Sequence, residues 1–363
     1  MLRLGIVGAG AMAEYHAKRF AGIGGMRVAA VCDHLRERAL GFAEERGLAA
    51  FDDPAEMAAS GEVDAIAVAS FDGWHKAPVL AALDRGLPVF CEKPLAREYG
   101  EAEEMAAAAA SSGVPAVVNF SKRNGGLLSL ARRAIAGGEL GGGLRLELSY
   151  LQSWLLQDSW GAWRSNARWK WRLSESLSTH GALGDLGSHL LDAALLLAGE
   201  GLAARAFSGR RFRDESPPAG GPFFEPEGGG AFEGFEARLA SSSTTAALAA
   251  DWRAAGKMDS FSVRAEGDSG SLEIDLERSR DSIVIRRGGA ARELRAGPVP
   301  STYERFTAVA AGSADPLPEE PIDFARGLAV QRLIADCASL SRAAPGTSDV
   351  LLRGDIASKA RHY

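Results

Sequence analysis

Leu2-Arg3-Leu4-Gly5-Ile6-Val7-Gly8-Ala9-Gly10-Ala11-Met12-Ala13 is the stretch that decides the fold. Its first half is a short apolar run rich enough in branched residues to be a buried strand. Its second half matches G-x-G-x-x-G/A, and a helical pattern follows from about Ala11 to Phe20. Gly8 permits the tight turn, Gly10 lets the backbone approach a pyrophosphate, and Ala13 is small enough for the helix to pack on the strand. The helix amino terminus offers unpaired N–H groups and partial positive charge to phosphates. A glycine fingerprint alone is a weak signal. Between a strand and a helix it reads as a dinucleotide site, against the plain alternative of a glycine turn without function.

Working outward, the next strand is Arg27–Cys32, ending at Asp33. A carboxylate there can accept hydrogen bonds from the adenosine ribose hydroxyls and would repel a 2′-phosphate, which favours NAD over NADP. Asp also suits a helix cap. Arg36 and Arg38 stand close enough in sequence to keep NADP as the second candidate. Strand and helix then alternate: helices around Phe42–Arg46 and from Pro54, a strand at Ala65–Ser70, a helix at His75–Leu83, a strand at Pro88–Cys91, a helix at Glu101–Ser111 and a strand at Pro115–Phe120. Repeated βα units imply a parallel, doubly wound sheet. The first domain is expected to cover residues 1–122 and a second to cover 123–363.

Val89-Phe90-Cys91-Glu92-Lys93-Pro94-Leu95 reads as a buried strand that stops at Glu-Lys-Pro, because proline has no amide N–H and a fixed φ. A lysine at the carboxyl end of such a strand points toward the crevice where open α/β sheets bind ligands. By itself a lysine there is more often a plain surface residue at a strand end.

Near the middle, Gly181 to Asp192 reads as a helix with one polar and one apolar stripe. Asp185, His189 and Asp192 follow an i, i+4, i+7 spacing and are expected on one face. A lone helical histidine is usually a satisfied core residue. His189, however, has a carboxylate one turn earlier to orient its ring. An imidazole of pKa about 6.5 suits a general base at neutral pH.

Upstream, Trp154, Trp160, Trp163, Trp169 and Trp171 interleave with Arg164, Arg168, Lys170 and Arg172. Aromatics among bases can mark single-stranded nucleic-acid binding. The other readings are a packed interface or capping loop, and a carbohydrate platform on which Arg164, Asn166 and Arg172 donate to hydroxyls. The remainder of this half is strand-rich. Leu144–Tyr150, Arg205–Ser208, Glu236–Ala240, Thr245–Trp252, Ser260–Glu266, Ser271–Ile274 and Ser282–Arg287 show partial period-two patterns and imply an antiparallel sheet. Asp214–Gly230 is rich in Pro and Gly and reads as a mobile loop. A sheet covered on one face is expected to bury its other, apolar face by subunit association. Pro321–Ala343 reads as a closing helix.

The whole-chain properties fit. At 363 residues two domains are natural, and 46% apolar with 24% charged residues is ordinary for a globular protein. A net charge of −6 disfavours a nucleic-acid binder. Cys32, Cys91 and Cys337 are scattered and read as reduced core residues, no Cys/His spacing suits zinc, and no apolar run reaches a membrane span. A first strand beginning at Leu2 leaves no room for a signal peptide, so a cytoplasmic location is expected.

Taken together, Gly8-x-Gly10-x-x-Ala13, Ser70 with His75 downstream, the Glu-Lys-Pro of Val89–Pro94 and the Gly181–Asp192 motif resemble the family of glucose–fructose oxidoreductase, inositol dehydrogenase and the rhizopine-catabolism oxidoreductases, Gfo/Idh/MocA. The likeness spans nearly the whole chain. It implies a Rossmann half and an α+β half whose open sheet carries helices on one face, joined as a homodimer or homotetramer. It implies cofactor contacts from Gly8, Gly10, Ala11, Met12 and Ala13 and from Asp33, Ser70, His75, Glu92 and Lys93. Lys93, Asp185 and His189 would share one catalytic site. Substrate contacts would come from those three with Arg164, Trp171, Arg172 and His180. The implied activity is NAD(P)-dependent hydride transfer at a secondary alcohol of a sugar, cyclitol or polyol, without a metal. Relatives that cleave glycosides through transient use of NAD supply an alternative, and a redox-inert dinucleotide sensor a third. The sequence departs from the family pattern twice. Phe71-Asp72 stands where Pro-Asn is usual, beside the nicotinamide ribose, and Thr179-His180 replaces two glycines.

Overall fold

The computed structural model describes residues 1–158, 160–215 and 224–343. The first sheet forms because its strands are almost unbroken apolar runs, as strands covered on both faces require. Ala65–Val68, for example, is buried at every position. The strands are β1 (Leu2–Val7), β2 (Met26–Cys32), β3 (Ala49–Phe51), β4 (Ala65–Val68), β5 (Val89–Cys91) and β6 (Ala116–Val118). They are all parallel, in the order β3-β2-β1-β4-β5-β6. The helices between them are α1 (Ala11–Ala21), α2 (Arg36–Glu44), α3 (Pro54–Ala59), α4 (Lys76–Asp84) and α5 (Tyr99–Ser112). The strand order reverses between β1 and β4, so a crevice opens at their carboxyl ends, where such sheets take ligands. Gly8 follows one of these strands and Ser70 the other.

The chain then passes through α6 (Leu127–Ala136) into a second sheet. This sheet has the order β14-β13-β12-β11-β7-β10-β9-β8. Its members are β7 (Leu144–Leu151), β8 (Ala203–Arg211), β9 (Phe232–Ala240), β10 (Thr244–Asp251), β11 (Ser260–Glu266), β12 (Ser271–Asp275), β13 (Ser282–Arg287) and β14 (Ala290–Arg295). All neighbours are antiparallel except β7 and β10, which run parallel. Short helices α7 (Trp154–Gln157) and α8 (Ala167–Lys170) lie between β7 and the long helix α9 (Ser188–Ala198). Helix α9 packs under β7, against the inward row Leu146, Leu148 and Tyr150.

The open face of this sheet carries many charged residues, contrary to the expectation that a sheet covered on one face leaves an apolar one. Alternation turns Arg145 and Glu147 outward on β7, Glu236 and Arg238 on β9, and Arg264 on β11. Arg145 pairs with Glu266 at 3.5 Å across the strands. Charged side chains of both signs are at home in water, and here they share the face with the half-buried Ala247, Ala249 and Val284.

The closing segments return to the first sheet. Helix α10 (Thr302–Ala310) carries a capping box in which Ser301 and Glu304 satisfy each other's backbone N–H groups. Helix α11 (Phe324–Ala343) packs on α5 and β6, and the Val118 N–H donates to the Ile322 carbonyl at 2.7 Å just ahead of it. Part of the Pro- and Gly-rich loop, residues 216–223, lies outside the described residues. Its end is packed: Gly230 bridges to Ser174, and the Phe224 ring lies 6.3 Å from that of Trp163.

The tryptophan-rich stretch divides. Trp154, Trp163 and Trp252 are buried, with Trp154 central, 5.1 Å from Trp252, 5.9 Å from Trp169 and 6.4 Å from Trp163. These rings are the core of a cap over the second sheet. Trp171 leaves the cluster and meets Phe71 at 4.7 Å.

Candidate active site

Two chambers meet at the crevice. The larger, about 630 Å³, is lined by Gly8, Gly10, Asp33, Ser70, Phe71 and Trp74 among others. The smaller, about 470 Å³, includes Ala11, Met12, Ser70, Glu92, Lys93 and Asp185. Ser70 belongs to both.

The larger chamber has the form a dinucleotide needs. Gly8 has φ +97, and a Cβ there would come within 3.0 Å of the Ala69 backbone, so this turn admits only glycine without strain. A Cβ on Gly10 would meet nothing within 4 Å, so the backbone there faces open crevice. Helix α1 begins at Gly10 with no side-chain cap, leaving its first N–H groups for a phosphate. Ala13 is fully buried against the sheet, beneath the chamber wall. Asp33 fixes the loop itself: its carboxylate accepts from the Ala9 N–H at 2.9 Å and the Leu35 N–H at 3.0 Å. His34 and Trp74 rings meet 4.3 Å apart beside it. These residues fit NAD, whose pyrophosphate would lie at the start of α1 and whose ribose would lie at Asp33.

In the smaller chamber Lys93 is held from both sides of one residue. Its Nζ donates to Asp185 Oδ1 at 2.8 Å and to the Asp185 carbonyl at 2.9 Å. Arg172 Nε stands 3.7 Å from the other carboxylate oxygen. Burial pushes the Asp185 carboxyl upward, yet Lys93 and Arg172 outweigh it and hold its pKa at about 2. Glu92 behaves alike. Burial raises it, and His16, Lys93 and Asn119 bring it down to about 2.

The helix expected from Gly181 to Asp192 is broken into a π-helical turn, Leu183–Gly187, followed by α9. The 3.6-residue phasing therefore does not run straight through Asp185. Helix α9 is also buried on every side from Ser188 to Leu197, rather than striped. Asp192 is not at the chamber. It accepts a bidentate pair from Arg123 at 2.6 and 2.7 Å, fully buried. His189 is buried and does not line either chamber. Burial pushes its imidazole well below the usual pKa, and the Lys93 and Lys122 charges push it further, against Asp185 and Glu92. It is therefore neutral at pH 7.

Of the other expected residues, His75 lines the smaller chamber, its ring nitrogens 3.1 Å from the Leu95 and Ser70 carbonyls. Trp171 and Arg172 line it too, with the guanidinium 4.6 Å over the Trp171 ring. Arg164 and His180 line neither chamber. Arg164 pairs with Asp214 and lies over Trp163, and His180 Nδ1 is 2.8 Å from Glu175.

Residues that no local motif marks surround the site. His16 stands between Tyr303, at 2.9 Å, and Glu92, at 3.1 Å, and Asn119 donates to Glu92 at 2.7 Å. Lys122 Nζ donates to Asp259 at 3.0 Å and lies 4.4 Å over the Tyr150 ring, which is 6.0 Å from that of His189. Their partners are far apart in the chain, and only the fold brings them together. Among the described residues no group of three His, Cys, Asp or Glu is placed to hold a metal, and no helix is long and apolar enough to cross a membrane.

Comparison with known proteins agrees with this architecture. Residues 2–120 match the model of an oxidoreductase family with an NAD-binding Rossmann fold, and residues 128–273 match the GFO/IDH/MocA C-terminal domain. The chain is 37% identical over 148 residues to an inositol 2-dehydrogenase of Mycolicibacterium gilvum, covering 40% of this chain and 42% of that one. It is 31% identical over 192 residues to a glucose-6-phosphate 3-dehydrogenase of Bacillus subtilis, covering 53% and 52%. The chain thus spans about half the length of these relatives. An NAD-binding oxidoreductase from Klebsiella pneumoniae superposes with a TM-score of 0.77 at 25% identity, over 94% of this chain and 97% of that one. With both halves matched in order along the chain, the protein belongs to the Gfo/Idh/MocA oxidoreductase family.

Proposed function

We propose that the protein is an NAD-dependent dehydrogenase acting on a secondary alcohol of a sugar, cyclitol or related polyol, with NADP as a weaker alternative cofactor. The observation that carries this reading is the Lys93–Asp185 contact, 2.8 Å long, in the wall of a chamber that joins the dinucleotide crevice at Ser70. Relatives bearing the names inositol 2-dehydrogenase and glucose-6-phosphate 3-dehydrogenase support the substrate class.

On this reading residues 1–122 hold the cofactor and 123–363 hold the substrate and any self-association surface, while α10 and α11 brace the first sheet. NAD, when bound, supplies the hydride acceptor. The Lys93 ammonium stabilises negative charge on the substrate oxygen as its proton leaves. Asp185 holds Lys93 in place, and His189, which lines neither chamber, is the candidate general base because its neutral ring lies within the electrostatic reach of Lys93 and Asp185. Trp171 presents a ring face to the apolar side of the sugar, and Arg172 donates to a hydroxyl. Three buried, unpaired cysteines suit a reducing compartment such as the cytoplasm.

The test is a screen of purified protein against cyclitols, aldoses, anhydrosugars and glycosides with NAD and with NADP, followed by the absorbance of the reduced nicotinamide. Sustained NADH production with one polyol supports the reading. Glycoside cleavage without net NADH would replace it with the glycosidase alternative.

A further inference from the structure

Both departures from the family pattern lie on facing walls of the crevice, and they touch. Asp72 is buried in the loop that follows β4, and its Oδ2 accepts from the Thr179 N–H at 2.8 Å and the Thr179 hydroxyl at 2.6 Å. Its Oδ1 accepts from the Gly73 N–H at 3.0 Å. Phe71, its neighbour, meets Trp171 at 4.7 Å. The residues that replace Pro-Asn therefore both reach across to the substrate half.

The chemistry of the pair is mutually dependent. An asparagine at 72 has one acceptor oxygen and one NH₂. Turned either way, it would aim the NH₂ at Gly73 N–H or at the two donors of Thr179. Only a carboxylate accepts on both sides. A glycine at 179 would offer the N–H and no hydroxyl. The two changes are thus halves of one contact, and a charge-assisted one, stronger than a neutral hydrogen bond.

Thr179 also meets the π-helical turn. Its single hydroxyl proton serves Asp72 at 2.6 Å, and the Ala96 carbonyl, 3.2 Å away, is only a competing acceptor for it. The Thr179 backbone lies directly against the π-helical turn: a Cβ at Gly184 would come within 2.2 Å of the Thr179 carbonyl oxygen. Gly184 precedes Asp185, which holds Lys93.

We infer that Asp72 and Thr179 form a latch between the two walls of the crevice that sets the position of the Asp185 turn against the cofactor loop, with Phe71 setting Trp171 in the same way. These are positioning residues for the reaction. The catalytic consequence rests on the dehydrogenase reading, whereas the latch does not.

The test uses Thr179→Val, which removes the hydroxyl at nearly constant shape, with Thr179→Ser as the rescue. Amide hydrogen exchange is followed over residues 69–75 and 177–187, together with kcat, KM and NAD affinity on the intact protein. In Thr179→Val exchange rises in both segments together, Tm falls as expected for the loss of one hydrogen bond to a buried charged group, and kcat falls while NAD affinity stays near wild type. Thr179→Ser restores these readouts. Should Thr179→Val not fold, Asp72→Asn carries the same exchange measurement. Exchange that rises around Thr179 alone, leaving residues 69–75 unchanged, overturns the latch. So does a kcat equal to wild type. A wild-type protein inactive on every polyol would sink the dehydrogenase reading, while the coupled exchange would still decide the latch.

Discussion

Asp185 grips Lys93 with its side chain and its main chain at once, at 2.8 Å and 2.9 Å. The carbonyl half of the grip belongs to a π-helical turn, a feature frequent at functional sites. Residues 92 apart in sequence, one from each half of the molecule, are thereby fixed to each other within the wall of a single chamber. A long, flexible lysine side chain loses its freedom before any substrate arrives, which is the preorganisation that charge stabilisation requires.

Gly10 and Gly8 predict opposite phenotypes. A Cβ on Gly10 meets nothing, so Gly10→Ala should fold with the wild-type Tm. The methyl would stand where the backbone must approach the pyrophosphate, so NAD affinity should fall by about tenfold or more. Gly8→Ala must adopt φ +97 against the Ala69 backbone and should lose about 1–3 kcal/mol of stability as well. Thermal melts and a fluorescence titration with NAD separate the two. Unaltered NAD binding by Gly10→Ala would move the pyrophosphate elsewhere.

The pH dependence follows from burial at His189. Its folded pKa lies well below the usual value of about 6.5, so the neutral form needed to accept a proton persists below neutrality. Alcohol oxidation should keep a flat kcat/KM through pH 6.5, with its acid limb at lower pH. Stability moves in the same direction. A histidine of depressed pKa loses stabilisation as pH falls below 6.5, because only the unfolded chain then takes up the proton. Asp185 and Glu92, each at about 2, contribute stability above their ordinary pKa values and lose it as pH falls toward 2. Unfolding free energy should therefore decline steadily on acidification. An acid limb in kcat/KM at or above pH 6.5 would contradict a buried, neutral His189.

Arg123 and Asp192, the latter on α9, form a buried ion pair. Removing one partner leaves an uncompensated charge, so Arg123→Met should cost about 3–5 kcal/mol. Arg123→Met combined with Asp192→Leu should recover most of that loss, since burying neither charge avoids both desolvation penalties. Urea unfolding of the single and double variants measures it. Additive losses in the double variant would mean that the two side chains are energetically independent.

Much of this architecture is legible in the chain. The strands of the first sheet are apolar runs set between glycine-rich turns, and β1, β2 and β4 lie within a few residues of where the pattern puts them. Lys93 and Asp185 are legible because each sits in a local motif. Other elements carried signals that are easily passed over. Ser301-Thr302-Tyr303-Glu304 is a capping box that announces α10, and the outward Arg145, Glu147, Arg238 and Arg264 already spelled out a charged open face. His16, Lys122, Tyr150 and Asp259 had no such signal. They are single residues on separate elements, and their meeting is a property of the tertiary fold alone. The tryptophans were visible as composition, but whether a ring faces a core or a crevice is decided by packing. Trp154 went one way and Trp171 the other.

The most direct test of the central claim is a single-turnover measurement of NADH formation by wild type and Lys93→Met on the best polyol, with NAD affinity measured on both. Loss of one preorganised donor should slow NADH formation by about 100-fold or more while NAD binding persists. A Lys93→Met protein that forms NADH at nearly the wild-type rate would show that the Lys93–Asp185 contact is structural and that the hydride-transfer site lies elsewhere.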